Sequence, residues 1–204
     1  MYSLFKNLFK AIYKQVISLK VYLWKFHYKV RYKGRGNYCI YKSSQFQKHV
    51  RLLFRKIGFV SIGANNNIQR DTRIVIDGGS LTIGNGCSFG ESNIINVFDN
   101  VTFGNRVLTA DRVNFISNIH IYDDVSTPIC EQATASGPIS VGDGTWFGIN
   151  ATVLANTSIG KNCVIAAHSV VKGNFPDYCV IAGTPARIVK KYNMETGEWI
   201  KWNQ

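Results

Sequence analysis

Four histidines occur in this 204-residue chain, and His120 sits where the rest of the sequence stops repeating. Its surroundings read Ile116-Ser117-Asn118-Ile119-His120-Ile121-Tyr122-Asp123-Asp124, followed by the irregular stretch Val125–Gln132. Histidine titrates across neutral pH, which suits it to take a proton from a hydroxyl group. Asn118 and Asp123 flank it and could orient the imidazole or hold a substrate. Position alone leaves two readings open: a general base, or a loop histidine without a role.

What positions this segment is a strict period. Val141, Phe147, Val153, Ile159, Ile165 and Val171 recur every sixth residue, as do Ile83, Phe89, Ile95, Val101, Val107 and Val113. Ile62, Ile68 and Ile74 form a shorter train. A helix has period 3.6 and a lone strand period 2, so neither explains six. Short strands that turn a corner and point one residue inward do, and a fixed short period is the signature of a solenoid. The fold expected is therefore an all-β solenoid. The step from Val113 to Val141 is not a multiple of six, so a loop over 114–138 must protrude. Loops on a rigid scaffold are where chemistry is usually placed.

Charge divides the chain. No Asp or Glu precedes Asp71, while 15 of the 24 Lys and Arg do; the remainder carries 9 basic and 12 acidic residues. The repeat itself is therefore no general polyanion binder, and nucleic acid is not an expected partner. Residues 1–36 read as a basic amphipathic helix, with Phe5, Leu8, Phe9, Ile12, Tyr13, Val16 and Ile17 along one stripe and Lys6, Lys10 and Lys14 on its flank. That composition suits peripheral membrane contact through residues 1–35. Packing of the stripe on the solenoid or on a neighbouring subunit fits equally. Lead-in strands are expected over 37–60, the solenoid over 61–192 and a tail over 193–204. Five scattered cysteines without a CxxC pair read as free thiols in a reducing compartment. With no apparent signal peptide or membrane-length apolar run, the expectation is a cytoplasmic chain, peripheral at the inner face of the plasma membrane.

The hexads, the His-bearing loop ending in Pro128-Ile129-Cys130-Glu131-Gln132, the segment Ile139–Gly148 and the closing Ala182-Gly183-Thr184-Pro185-Ala186-Arg187 together resemble the hexapeptide-repeat O-acetyltransferases. The closest branch holds the galactoside, maltose and nodulation acetyltransferases and those of surface polysaccharides; the match covers roughly residues 60–192. The resemblance implies a left-handed parallel β-helix, a homotrimer, acetyl-CoA in a cleft between subunits, and no metal. His120 falls on the family's catalytic histidine. Trp146, Gly148 and Ala167 fall on positions beside the pantetheine arm, and Lys172, Arg187 and Lys190 on contacts to the CoA phosphates and adenine end. This chain departs at Ala166-Ala167-His168-Ser169, where the family has Gly-Ala-Gly-Ser, and at Lys172-Gly173-Asn174, where it has Thr-Lys-Asp.

The function implied is acetyl-CoA-dependent O-acetylation of a sugar hydroxyl, with a capsule or O-antigen unit or its precursor as the carbohydrate acceptor. N-acetylation of an amino sugar nucleotide is the alternative, and a non-catalytic scaffold a remote one. A zinc-dependent β-helix hydratase would need three histidines around one metal. The repeat offers only His120 and His168.

Overall fold

A computed structural model describes residues 30–33 and 36–202, with side chains from Gly36 onward. Most of the 1–36 segment, with its expected amphipathic helix, lies outside the described residues. Its end is a strand instead. Val30–Lys33 (β1) pairs in parallel with Val50–Phe54 (β4), as the β-branched and aromatic residues Val30 and Tyr32 favour.

The chain winds as a parallel β-solenoid with three faces. The first coil runs β1, β2 (Asn37–Ile40) and β3 (Gln45–Phe46); the second runs β4, β5 (Phe59–Ile62) and β6 (Asn67–Ile68). The third holds β7 (Arg73–Ile76), β8 (Ser80–Ile83) and β9 (Ser88–Phe89), and the fourth β10 (Ile94–Val97), β11 (Val101–Phe103) and β12 (Leu108–Thr109). In the fifth, a hairpin of β14 (Asn118–His120) and β15 (Thr134–Ser136) interrupts β13 (Asn114–Ile116), β16 (Ile139–Val141) and β17 (Trp146–Phe147). Above these, β18 (Thr152–Ile159) and β20 (Val170–Phe175) each bend across two faces, and β19 (Val164–Ile165) and β21 (Cys179–Gly183) complete the third. Face A carries β1, β4, β7, β10 and β13; face B carries β2, β5, β8, β11 and β16; face C carries β3, β6, β9, β12, β17, β19 and β21.

The solenoid begins earlier than expected, because residues 37–60 already form coils in register with those above. The excursion is also shorter than 114–138: Asn114–Ile116 stays in face A, paired with β10 and β18. At the far end β22 (Ala186–Asn193) and β23 (Glu198–Lys201) run antiparallel and cover the open edge of face C.

Every residue of the three hexad trains is buried. Their common spacing nevertheless hides coils of different length. Val141 pairs with Ile159 and Val153 with Val171, each partner standing three hexads further along its own train. Earlier, Ile83 pairs with Phe103 and not with Val101, and Ile74 pairs with Ile95, so these coils are longer than three hexads. The early train survives because a strand offers two inward positions, as Leu81 and Ile83 show. A hexad count that falls behind the coil steps from one inward position to the other. Phe103 and Phe115, outside the trains, complete a buried ladder of T-shaped contacts from Phe89 through Phe103 and Phe115 to Phe147, with centroids 4.7–5.1 Å apart.

Corners are closed by residues with positive φ. Asp71, Ser92, Arg112, Asn150 and His168 stack at the C–A edge, and Asn65, Gly86, Arg106, Gly144 and Asn162 at the B–C edge. All but Asn65 donate their N–H to a carbonyl of the coil below, for example Asn150 N–H to Asp111 O and His168 N–H to Ile149 O. Asn65 N–H donates to Ser43 Oγ instead. Glycine supplies this conformation at only some of the corners; asparagine, which tolerates it well, supplies several others.

Candidate active site

Ser117 roots the hairpin. Its buried Oγ donates to Asn96 O (3.0 Å) and accepts from Phe98 N–H (2.8 Å). Asn118, Ile119 and His120 then pair antiparallel with Ser136, Ala135 and Thr134. Alternation puts Asn118 and His120 on one side of the hairpin, with Thr134 directly across from His120. The His120 side chain is exposed, and among the described residues its ring has no hydrogen-bond partner. Neither Asn118 nor Asp123 bonds to it.

The acidic residue that organises the loop is Asp124. It accepts from Ser126 Oγ (2.6 Å), Thr127 Oγ1 (2.7 Å) and Ser126 N–H (2.8 Å). Gln132 Nε2 ties the tip by donating to Asp124 O and Thr127 O, both at 2.8 Å. The Asp-x-Ser-Thr turn was legible in the sequence as side-chain turn chemistry. The two hydroxyls, with the Ser126 amide, hold the Asp124 carboxyl down to about 2, from an ordinary 3.8. A depressed carboxyl contributes order while ionised, so this contribution is complete above the ordinary value and fades as pH falls through about 2. Ser126 and Thr127 amide shifts should titrate with a midpoint near that value in NMR spectra and lose the transition in Asp124→Asn. A midpoint at the ordinary carboxyl value would show that the hydroxyls do not hold it.

Three of the residues matched to cofactor contacts assemble elsewhere. Gly148, Ala167 and the turn before Arg187 meet at the C–A edge. Ala166 N–H donates to Ile181 O (2.9 Å), Gly183 N–H to Ser169 Oγ (3.2 Å), and Thr184 Oγ1 to His168 O (3.2 Å). Arg187 lies opposite Ala182, exposed, with Nη1 donating to Ala186 O (2.9 Å). Ala167 is exposed on the same edge. Trp146 lies on face C, 45% exposed, in a row with Leu108, Val164, Val180 and Lys190. Lys172 sits exposed at the bend of β20. Gly148 has a reason inside the chain: a Cβ there would come within 2.5 Å of Ala167 N, so the next coil's backbone requires glycine. The ordered backbone, small side chain and exposed Arg187 at this edge suit a long phosphorylated thioester.

The hairpin leaves the prism at the A–B edge, while Gly148, Ala167 and Arg187 line C–A, Trp146 and Lys190 lie on face C, and Lys172 stands at the A–B bend on the hairpin's side. A hollow of about 550 Å³ adjoins the hairpin, lined by Asn37, Phe59, Gly79, Phe98, Asn100 and Ser136 among others. The larger groove, about 750 Å³, follows the B–C edge and touches neither group. Its Asn85, Asn105 and Asp143 stitch coils together by accepting backbone N–H groups from the coil below. Among the described residues no three His, Cys, Asp or Glu side chains are placed to hold a metal ion.

The coils carry the decisive pattern. A model of bacterial transferase hexapeptide repeats, six repeats long, matches residues 138–173. Residues 138–173 are therefore a hexapeptide-repeat segment of the bacterial transferase type. This hexapeptide-repeat chain is 34% identical over 157 residues to a Mycobacterium tuberculosis protein named as a probable acetyltransferase, covering 76% of this chain and 50% of that one. It is 39% identical over 110 residues to WbbJ of Escherichia coli, which carries the name of a lipopolysaccharide biosynthesis O-acetyl transferase, covering 50% of this chain and 56% of WbbJ. It thus spans about half the length of these relatives. Among solved structures, the polySia-specific acetyltransferase NeuO superposes with a TM-score of 0.65 at 24% identity, over 86% of this chain and 72% of NeuO. AntD, an N-acyltransferase from Bacillus cereus in complex with dTDP and coenzyme A, superposes with a TM-score of 0.59 at 17% identity, over 81% and 86%. Both show that the hexapeptide-repeat chain shares their fold.

Five free cysteines are present. Burial pushes the Cys163 thiol up to about 11 and raises Cys87 and Cys179, which leaves these three unreactive packing groups. No helix among the described residues is long and apolar enough to cross a membrane.

Proposed function

We propose that this chain transfers an acetyl group from acetyl-CoA to a sugar hydroxyl, with His120 as general base. The observation that carries the reading is an exposed histidine, without a partner among the described residues, on the hairpin that interrupts a hexapeptide-repeat solenoid, with a hollow large enough for a sugar ring at Ser136 of the same hairpin. The names of the two relatives, one of them for lipopolysaccharide biosynthesis, support an acceptor in a surface polysaccharide or its precursor.

In this reading His120 takes the proton of the acceptor hydroxyl as its oxygen bonds to the acetyl carbon. The carbon–sulfur bond then breaks, and the imidazolium returns its proton to the departing thiolate. Asn118 and Thr134 face the acceptor from the same hairpin. Asp123 lies beyond them toward the tip, exposed and free to meet substrate in this reading. Gly148, Ala167 and the exposed Trp146 line the path of the pantetheine arm. Lys172, Arg187 and Lys190 supply fixed cations for its phosphates. Because hairpin and C–A edge lie on different sides of one solenoid, the full cleft needs the hairpin of one copy and the edge of another, which a homotrimer provides. The basic segment 1–35 would hold the enzyme at an anionic membrane surface, close to lipid-linked acceptors.

The test is an acceptor panel of sugars carrying free hydroxyls, free amines or both. Expected is thiol release with an alkali-labile ester on the product. An alkali-stable amide formed only with amines would overturn O-acetylation in favour of the amino-sugar alternative. No turnover, with coenzyme A still bound, would favour a scaffold.

A further inference from the structure

The C–A edge holds a hydrogen-bonded chain that the function above leaves unused. Arg112, Asn150 and His168 stack there in consecutive coils, all with positive φ near 60° (56°, 60° and 59°). Arg112 Nε donates to Asn150 Oδ1 at 2.9 Å, and Asn150 Nδ2 lies 3.3 Å from His168 Nε2. A guanidinium nitrogen can only donate, so the asparagine must turn its oxygen toward Arg112. Its NH2 group therefore faces the histidine, and that group also only donates. His168 Nε2 must then accept, which places the proton of the neutral ring on Nδ1. His49 at the foot of the same edge shows the contrast: its Nδ1 faces a carboxylate oxygen of Asp71 at 3.3 Å, so the partner above decides the role of the ring nitrogen.

Among the described residues the Nδ1–H of His168 has no partner, and the side chain is exposed beside exposed Ala167. A donor held in one tautomer by two other residues is preorganised for an acceptor from outside the chain. The turn at Thr184 fixes its backbone as well. We infer that His168 is a binding residue for the acyl-CoA substrate, its Nδ1–H donating to an amide carbonyl of the pantetheine arm, with Arg112 and Asn150 as positioning residues. This rests on the reading that the C–A edge carries the CoA.

The experiment combines imidazole nitrogen-15 NMR, at a pH where the ring is neutral, with calorimetric binding of CoA to the full chain. Expected is an Nδ1–H tautomer for His168, the less common form in water, converted to Nε2–H in Asn150→Asp, whose carboxylate accepts where the amide donated. Adding CoA should shift the Nδ1 resonance, and the adenosine bisphosphate half alone should not. His168→Ala and Asn150→Asp should each weaken CoA binding about 3- to 10-fold, the range for one neutral hydrogen bond, and raise KM for acetyl-CoA with kcat unchanged. An Nε2–H tautomer in the wild type, or CoA binding unchanged in both variants, would overturn the inference and leave the proposed function standing. A wild type that binds no CoA would sink the proposed function, and the ligand assignment with it, whatever tautomer is seen.

Discussion

His120→Ala should lower acetyl transfer by about 10²–10⁴-fold, the usual loss when a general base is removed, with CoA binding intact. The hairpin supports this expectation in two ways. Ser117 roots it and Asp124 with Gln132 ties its tip through groups that His120 does not touch, so the substitution should leave the loop folded. The ring also has no partner among the described residues, so nothing structural is lost with it. Arg187→Ala should instead raise KM, since its guanidinium lies on the opposite group. Mixing the two variants should restore part of the activity if hairpin and C–A edge in one cleft come from different copies. Near-normal turnover of His120→Ala alone would remove the histidine from the mechanism.

Phe115→Ala should cost about 3–5 kcal/mol of stability, measured by denaturant unfolding. Phe115 is fully buried, with its ring 4.7 Å from that of Phe103 and 5.1 Å from that of Phe147. Removing it opens a cavity bounded by two coils whose backbones are fixed by parallel pairing and cannot collapse inward. Whole domains are stable by only about 5–15 kcal/mol, so one ring carries a large share. It also lies just before Ser117 in the chain, so loosening it should reach the hairpin root. A loss below about 1 kcal/mol would mean that the coils do close over the gap.

The inward residues of the trains were readable from sequence because each obeys a local rule: short strands joined by corners return an apolar side chain to the axis at every sixth position. The protruding loop was readable as the break in that rule, and His120 as its only histidine. Phe103 and Phe115 were not, because the early coils are longer than three hexads and a count in sixes passes beside them. The start of the solenoid was not readable for a related reason, since residues 30–33 and 37–60 pair as coils without the hexad spacing. Asp124 was within reach as turn chemistry, but the flanking Asp123 drew the assignment.

The relay at the C–A edge had no local signal at all. Arg112 and Asn150 are far apart in sequence because the hairpin intervenes, while Asn150 and His168 are separated by a single uninterrupted coil. What the residue types and their spacing determined by themselves was a solenoid, its inward faces and one reactive loop. Which residues share an edge was decided only in three dimensions, because coil length, set by every corner and insertion along the way, chooses the neighbour across each parallel pair. The same geometry put the hairpin at the A–B edge and Gly148, Ala167 and Arg187 at the C–A edge, a separation that no linear spacing records.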